Sequence, residues 1–327
     1  MKKMKVSVVI PNWNGEDLLA ESLESIEKQT YPCQIVVVDN GSTDESVQII
    51  KNKFPKVHLI ELSENTGFAG GVNTGLKYSL AEGFDAAALF NNDAEAETDW
   101  LENLVNQLEE NKTTGIVTGK LMRHNRKHID STGDFYTIWG IPMPRGRNQQ
   151  DTGQYDQAES VFGASGGASL YRTSMLKQIG LFDERFFAYI EDVDISFRAR
   201  LAGWGVIYTP KAVAYHHVSA TTSKMVSSFA RYQWIKNYLM TYTKNMPAKL
   251  YWKYFPLFLS QYLRYGVSST IRGGFWAYIR SSFRFLVLLP GVLSDRWKIQ
   301  KSRKVSSSEI DELLVHSRPP KIPGLQQ

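Results

Sequence analysis

A chain of 327 residues with a single cysteine, Cys33, cannot form an internal disulfide, which excludes a cross-linked secreted scaffold. The lone thiol fits a reducing compartment and reads as a small apolar filler. Long apolar runs are missing as well. Phe255 to Leu263 ends at Arg264, and Phe285 to Leu293 is broken by Pro290 and Gly291. Neither reaches the roughly 18 residues that a membrane-spanning helix needs. The opening run, Val6 to Ile10, halts at Pro11, Asn12 and Asn14, too short for a signal peptide and right for a buried strand. No Gly-x-Gly-x-x-Gly turn joins a strand to a helix, which removes the dehydrogenase class. Acid is nearly absent from the last third: Ser219 to Lys304 holds 15 Lys or Arg against Asp295 alone, and 18 of the 40 aromatic residues. That segment is +14, residues 1–218 are −8 and the remainder −1, which sums to the net +5.

What is present first is an alternation. Val6 to Ile10, Ile35 to Val38, Val57 to Ile60 and Ala86 to Phe90 read as strands, and Asp17 to Gln29, Glu45 to Lys53, Ala69 to Ala81 and Asp99 to Glu110 repeat apolar residues at helical spacing. Strands alternating with helices predict an α/β fold with a mostly parallel central sheet. Arg123 to Ser160 is polar and lacks periodicity, which predicts a long, partly mobile connection. A strand over Gly163 to Arg172, helices over Thr173 to Ile179 and Glu191 to Ala202, and strands over Val206 to Tyr208 and Ala212 to Tyr215 complete the pattern. From Ser219 several short amphipathic helices are expected, broken at Pro247, Pro256, Gly266 and Gly273–Gly274, before a loose polar tail from Val305.

Four clusters fall where strands end, which is where open α/β sheets bind ligands. Asp39 closes a strand before Asn40-Gly41-Ser42, and its carboxylate suits the N3–H of a uracil or thymine ring; Ser42 and Asp44 also suit helix capping. Asn65-Thr66-Gly67-Phe68-Ala69-Gly70-Gly71 is a glycine-rich turn feeding a helix, where bare N–H groups suit phosphate oxygens, although such turns are common. Asn91-Asn92-Asp93 brings amides and one carboxylate to a strand tip, suited to a hard divalent cation or to a capped loop. Glu191, Asp192 and Asp194 crowd the start of a helix, where the macrodipole favours acids, and where a positioned carboxylate serves as a general base.

In this order and spacing the clusters resemble family 2 of the glycosyltransferases, close to its rhamnosyltransferase-like branch, over nearly the whole chain. The matching stretches are Val6 to Asn14, Asp39 to Ser42, Asn65 to Gly71, Gly163 to Ala168 and Gly180 to Phe187. The resemblance implies the GT-A fold: a catalytic domain over 1–218, divided near 120 into nucleotide-sugar and acceptor halves, then a helical basic and aromatic appendage over 219–304 and a tail over 305–327. It implies that Asp39 reads the base, that Pro11, Asn12, Asn14, Asn65, Gly70, Asn91 and Asn92 line the nucleotide site, and that Asp93 belongs to the metal motif. His216 or His217 is the late histidine, best aligned at His216. Asp192 would be the catalytic base, Glu191 and Asp194 would help position the acceptor or hold the helix, and Trp139 and Gly166 would lie toward the acceptor. Many relatives have two acids in the metal motif; Asn91 replaces one here, and an amide is the weaker ligand for Mg2+ or Mn2+.

The implied activity is inverting transfer of a sugar, rhamnose from dTDP-rhamnose being preferred, onto a saccharide carried on a lipid pyrophosphate during cell-surface polysaccharide synthesis. A UDP-sugar-dependent hexosyl- or galactofuranosyltransferase and a non-catalytic nucleotide-sugar-binding scaffold are the alternatives. The basic aromatic segment suits an anionic membrane surface, and no nucleic-acid module accompanies it. The expected location is cytoplasmic, on the inner face of the plasma membrane.

Overall fold

In the computed structural model, which describes residues 3–217 and 228–317, the alternating pattern becomes a ten-stranded sheet. Strands β1 (Val6–Asn12), β2 (Cys33–Asp39), β3 (His58–Glu61) and β4 (Ala86–Phe90) run parallel in the order β3-β2-β1-β4. Helices α1 (Leu19–Glu27), α2 (Ser46–Lys53) and α3 (Gly67–Ala81) make the crossovers. Val8 and Ile10 enter one core with Leu23 and Trp100, while Val9 enters another with Val72 and Ile195. That alternation marks a strand buried on both faces.

Beyond β4 the sheet becomes mixed. β5 (Ala94–Ala96) and α4 (Trp100–Glu110) lead into β6 (Thr114–Arg123), whose residues are buried from Thr114 to Met122. Gly115, Gly119 and Lys120 interrupt the apolar pattern of 114–122 in the sequence. Their reasons are tertiary. A Cβ at Gly119 would sit 2.1 Å from the Ala212 carbonyl oxygen, and Lys120 pairs with Asp151 and Asp156 at 2.9 and 2.6 Å.

The expected loose connection after Arg123 is instead built: β7 (Ile129–Ser131), β8 (Asp134–Tyr136), β9 (Pro142–Pro144) and β10 (Glu159–Ser160). Ile129, Tyr136 and Ile141 are buried there, and the Arg145 guanidinium binds the Thr132 carbonyl. Side-chain bonds of this kind leave no periodic signature. β11 (Ala168–Arg172), shorter than expected, runs antiparallel between β4 and β6. After α5 (Thr173–Ile179) and α6 (Glu191–Leu201), β12 (Gly205–His216) runs parallel to β6. The two strands expected here are one, irregular between Tyr208 and Val213 around Pro210.

Three long helices follow: α7 (Ser228–Asn245), α8 (Ala248–Ile271) and α9 (Phe275–Ser302). The chain breaks at Pro247 and at Gly273–Gly274, but α8 continues through Pro256 and Gly266. Gly266 is a packing residue, since a Cβ there would lie 2.9 Å from the Tyr278 ring of α9. The tail is also anchored where it is described. α10 (Ser307–Leu313) starts with a capping box of Ser306 and Glu309, and Val315 pairs with Thr137. Residues 219–227 of the basic segment and 318–327 of the tail lie outside the described residues. Tyr136, Phe162, Phe186 and Phe197 share one aromatic core with Tyr238, Tyr242 and Phe258, so the α/β layer and the helices are packed together.

Candidate active site

Parallel pairing of β1 with β2 sets Asn12 beside Asp39. Asp39 is 2% exposed; its Oδ1 accepts from Asn12 Nδ2 at 3.0 Å and its Oδ2 from Ser42 N at 3.0 Å. Asn12 Oδ1 in turn accepts from Asn92 Nδ2 at 2.7 Å, which ties the tip of β1 to the turn after β4. Pro11 closes the same strand, and Asn14, at φ 49°, accepts from Thr43 N at 2.8 Å to brace the turn after Asp39.

From Asn91 the connection continues to α6. Asn91 N donates to Gly167 O at 2.9 Å, and Gly166 N donates to Asp192 Oδ2 at 3.0 Å. An unbroken path of covalent and hydrogen bonds therefore joins Asp39, Asn12, Asn92, Asn91, Gly167, Gly166 and Asp192. Asp93 lies beside this path, with Oδ1 3.1 Å from His216 Nε2 at the end of β12. His217 turns elsewhere: it stacks on His124 and faces Glu21 at 3.6 Å.

Two further carboxylates carried no sequence signal. Asp130, on β7, binds His216 Nδ1 at 2.9 Å through Oδ2 and Arg147 at 3.2 Å through Oδ1. Burial alone would lower the His216 pKa, but the bonds to Asp130 and Asp93 outweigh it and lift the imidazolium to about 9. Asp134, on β8, is buried, and burial raises its carboxyl to about 8 with the Asp192 charge adding to the push. Both sit in the irregular stretch after β6, where only the folded chain brings them near the site.

The acids of α6 divide their work. Burial pushes Glu191 well above the ordinary carboxylate range, and neighbouring Asp192 pushes it further. Burial raises Asp192 as well, but N–H groups of Gly166 and Val193 favour its charged form, so Asp192 ionises first and Glu191 keeps the proton. Of the two roles open to Asp194, its contacts match holding the helix. It is 0% exposed and bonded to Arg198, Lys244 and Asn245, so it ties α6 to α7. Burial would raise its pKa, yet the cations hold it below the usual value.

The glycine turn directs three of its N–H groups inward. Thr66 N, Gly67 N and Ala69 N donate to Asn40 Oδ1, Asn65 Oδ1 and Phe187 O, so these N–H groups are engaged within the protein rather than bare for phosphate. Gly70 makes room for Thr66, whose Oγ1 would lie 2.4 Å from an added Cβ. Trp139 packs on the aromatic core, and its carbonyl accepts from Tyr238 at 2.7 Å. Phe187, Tyr189 and Ile190 have φ of 64°, 71° and 69° directly before Glu191. Each costs about 1–3 kcal/mol and persists only where the surroundings hold it.

Residues 7–180, more than half of the chain, match the profile of glycosyl transferase family 2. The chain belongs to that family. This glycosyltransferase is 28% identical over 215 residues to the N-acetylglucosaminyl-diphospho-decaprenol L-rhamnosyltransferase of Mycobacterium tuberculosis, covering 59% of this chain and 69% of that one. Among solved structures it resembles S. aureus TarS 1-349 in complex with UDP, with a TM-score of 0.55, 18% identity and coverage of 98% and 95%. It also resembles the mannosyltransferase PcManGT from Pyrobaculum calidifontis in complex with GDP-Man and Mn2+, with a TM-score of 0.54, 17% identity and coverage of 92% and 86%. The glycosyltransferase thus has the GT-A fold with a C-terminal helical region, and it is an inverting hexosyltransferase of glycan synthesis.

Proposed function

We propose that the enzyme moves rhamnose from dTDP-rhamnose onto a saccharide carried by a lipid pyrophosphate. The observation that carries this reading is the bonded path from Asp39 to Asp192, which ties a base-reading carboxylate, a diphosphate-facing turn and a proton acceptor together. The rhamnosyltransferase relative supports the sugar and the acceptor class. Asp39 would accept the thymine N3–H through a lone pair left by its two internal bonds. Asp192 would take the proton from an acceptor hydroxyl as its oxygen attacks the anomeric carbon opposite the diphosphate. The new glycosidic bond forms as the bond to the diphosphate breaks, and the configuration inverts.

Among the described residues no three His, Cys, Asp or Glu side chains gather to hold a metal. Asp93 and His216 nonetheless fit a hard cation, Mg2+ or Mn2+, because such ions commonly take one or two protein ligands plus substrate phosphates. Asp130 on the far ring nitrogen is the usual support for a ligating histidine. When bound, the ion would neutralise the charge of the departing diphosphate.

The helices supply the second part of the proposal: residues 1–218 carry the chemistry, and 219–304 hold it to an anionic bilayer on the cytoplasmic side. Leu259, Leu263, Val267 and Ile271 form an exposed stripe on α8, and Trp276, Ile279, Phe283 and Val287 form one on α9. Exposed Arg264, Arg272, Arg280 and Arg284 lie among them. Such a surface suits acidic headgroups and the interface beneath them. Among the described residues no helix is long and apolar enough to cross a membrane.

The test is turnover of the purified protein with Mg2+ or Mn2+ against a panel of nucleotide sugars. Release of dTDP from dTDP-rhamnose, faster than any release from UDP-hexoses, is expected. Preference for a UDP-sugar would overturn the donor assignment, and binding without turnover would support a scaffold.

A further inference from the structure

The loop that launches the catalytic helix does not hold its own shape. Phe187, Tyr189 and Ile190 all lie in the left-handed region, and Ile190 is β-branched, a residue type that rarely adopts it. Ile190 is also the cap of α6 and makes no side-chain capping bond, so local support is limited to short-range backbone bonds, Phe187 N to Glu184 O at 3.1 Å and Ala188 N to Phe186 O at 2.8 Å. Further support comes from α7, nearly fifty residues later in the chain.

Asn237 on α7 is 0% exposed, and its Nδ2 lies 3.0 Å from Phe186 O, 2.8 Å from Ala188 O and 2.7 Å from Tyr189 O. The remaining carbonyl of the run, Phe187 O, accepts from Ala69 N at the start of α3. Every carbonyl from Phe186 to Tyr189 thereby has a donor; the two N–H groups of Asn237 serve three of them, one hydrogen being shared, and Phe186 O accepts from Ala188 N as well. Lys236 Nζ extends the grip to Arg185 O at 2.7 Å. The Asn237 Oδ1, buried as well, has no partner among the described residues, a cost that a residue kept for packing alone would avoid.

We propose that Asn237 is a positioning residue: its amide holds the 186–189 backbone in the strained turn that aims Asp192 at Gly166. The C-terminal helical region is therefore part of the catalytic apparatus as well as a covering layer. This rests on the reading of Asp192 as the proton acceptor.

The test uses the full chain and three variants. Asn237→Leu keeps the shape and removes both N–H groups. Turnover should fall about 100-fold, as expected when a reacting group is misplaced by about 1 Å, while affinity for dTDP with Mg2+ stays within about threefold of wild type. Hydrogen exchange should quicken over 186–195 and remain unchanged in β1 to β4. A Leu variant keeping more than about a third of wild-type turnover, or quickened exchange throughout the chain, would overturn the proposal. Asn237→Asp covers the case in which the Leu variant does not fold. Its carboxyl donates one hydrogen while protonated and none once ionised, so its activity should fall, relative to wild type, as pH rises. A pH profile matching wild type would overturn the proposal equally. Asp192→Asn separates the two readings: if it turns over normally, the base assignment fails whatever the Asn237 variants show.

Discussion

Asp192 combines two conditions that a general base needs: N–H donors that favour its charged form against the burial that raises its pKa, and a neighbour, Glu191, whose carboxyl burial pushes well above the ordinary range. Asp192→Asn should lower kcat by 10²-fold or more, since a general base contributes about that much, while nucleotide affinity measured by calorimetry stays unchanged. Asp130 acts on His216 from behind. Asp130→Asn should weaken Mn2+ binding by about 10–100-fold, the usual effect of removing such a support. Asp134 makes a prediction about stability. Folded, it keeps its proton up to about pH 8, whereas the unfolded chain releases it near the ordinary aspartate value of 3.8. Between those values the folded state binds the extra proton, so this group's stabilising contribution is full below about pH 4 and is lost as pH rises through 8. Asp134→Asn should therefore melt higher than wild type above pH 8, with the difference shrinking toward pH 4.

At the scale of elements, the parts legible in the sequence were those whose pattern is local. β1, β2 and β4 are apolar runs ended by Asn12, Asp39 and Asn91, and their tips are the turns read as site-forming. β6 was not legible, because its glycines and Lys120 answer to Ala212, Asp151 and Asp156, which are distant in sequence. Asp130 and Asp134 carry no local signal for the same reason, and sequence alone leaves both roles of Asp194 open because a buried ion pair and an active-site acid look alike in a helix's first turn. α8 reads as fragments in the sequence, since Pro256 and Gly266 resemble breaks until the helix is seen to run through the one and Tyr278 to pack on the other. Gly119→Ala is the sharpest test of an element: a methyl group 2.1 Å from a carbonyl oxygen should destabilise the protein by about 1–3 kcal/mol in a denaturant titration.

For the whole molecule, charge divides along the chain, −8 over residues 1–218 against +14 over 219–304, and the proposed membrane contact rests on the basic part. Flotation with vesicles containing acidic lipids should recover the protein at low salt and lose it as salt screens the headgroups. Absence from the vesicle fraction at low salt would remove the membrane assignment. The central claim is that one molecule brings base recognition, leaving-group departure and proton removal to a single bonded path. It is tested most directly by incubating the protein with dTDP-β-rhamnose and a lipid-pyrophosphate saccharide, then reading the anomeric configuration of the product by NMR. An α-linked product, formed in wild type and lost in Asp192→Asn, is the expected result; a β-linked product, or transfer that survives the substitution, would contradict it.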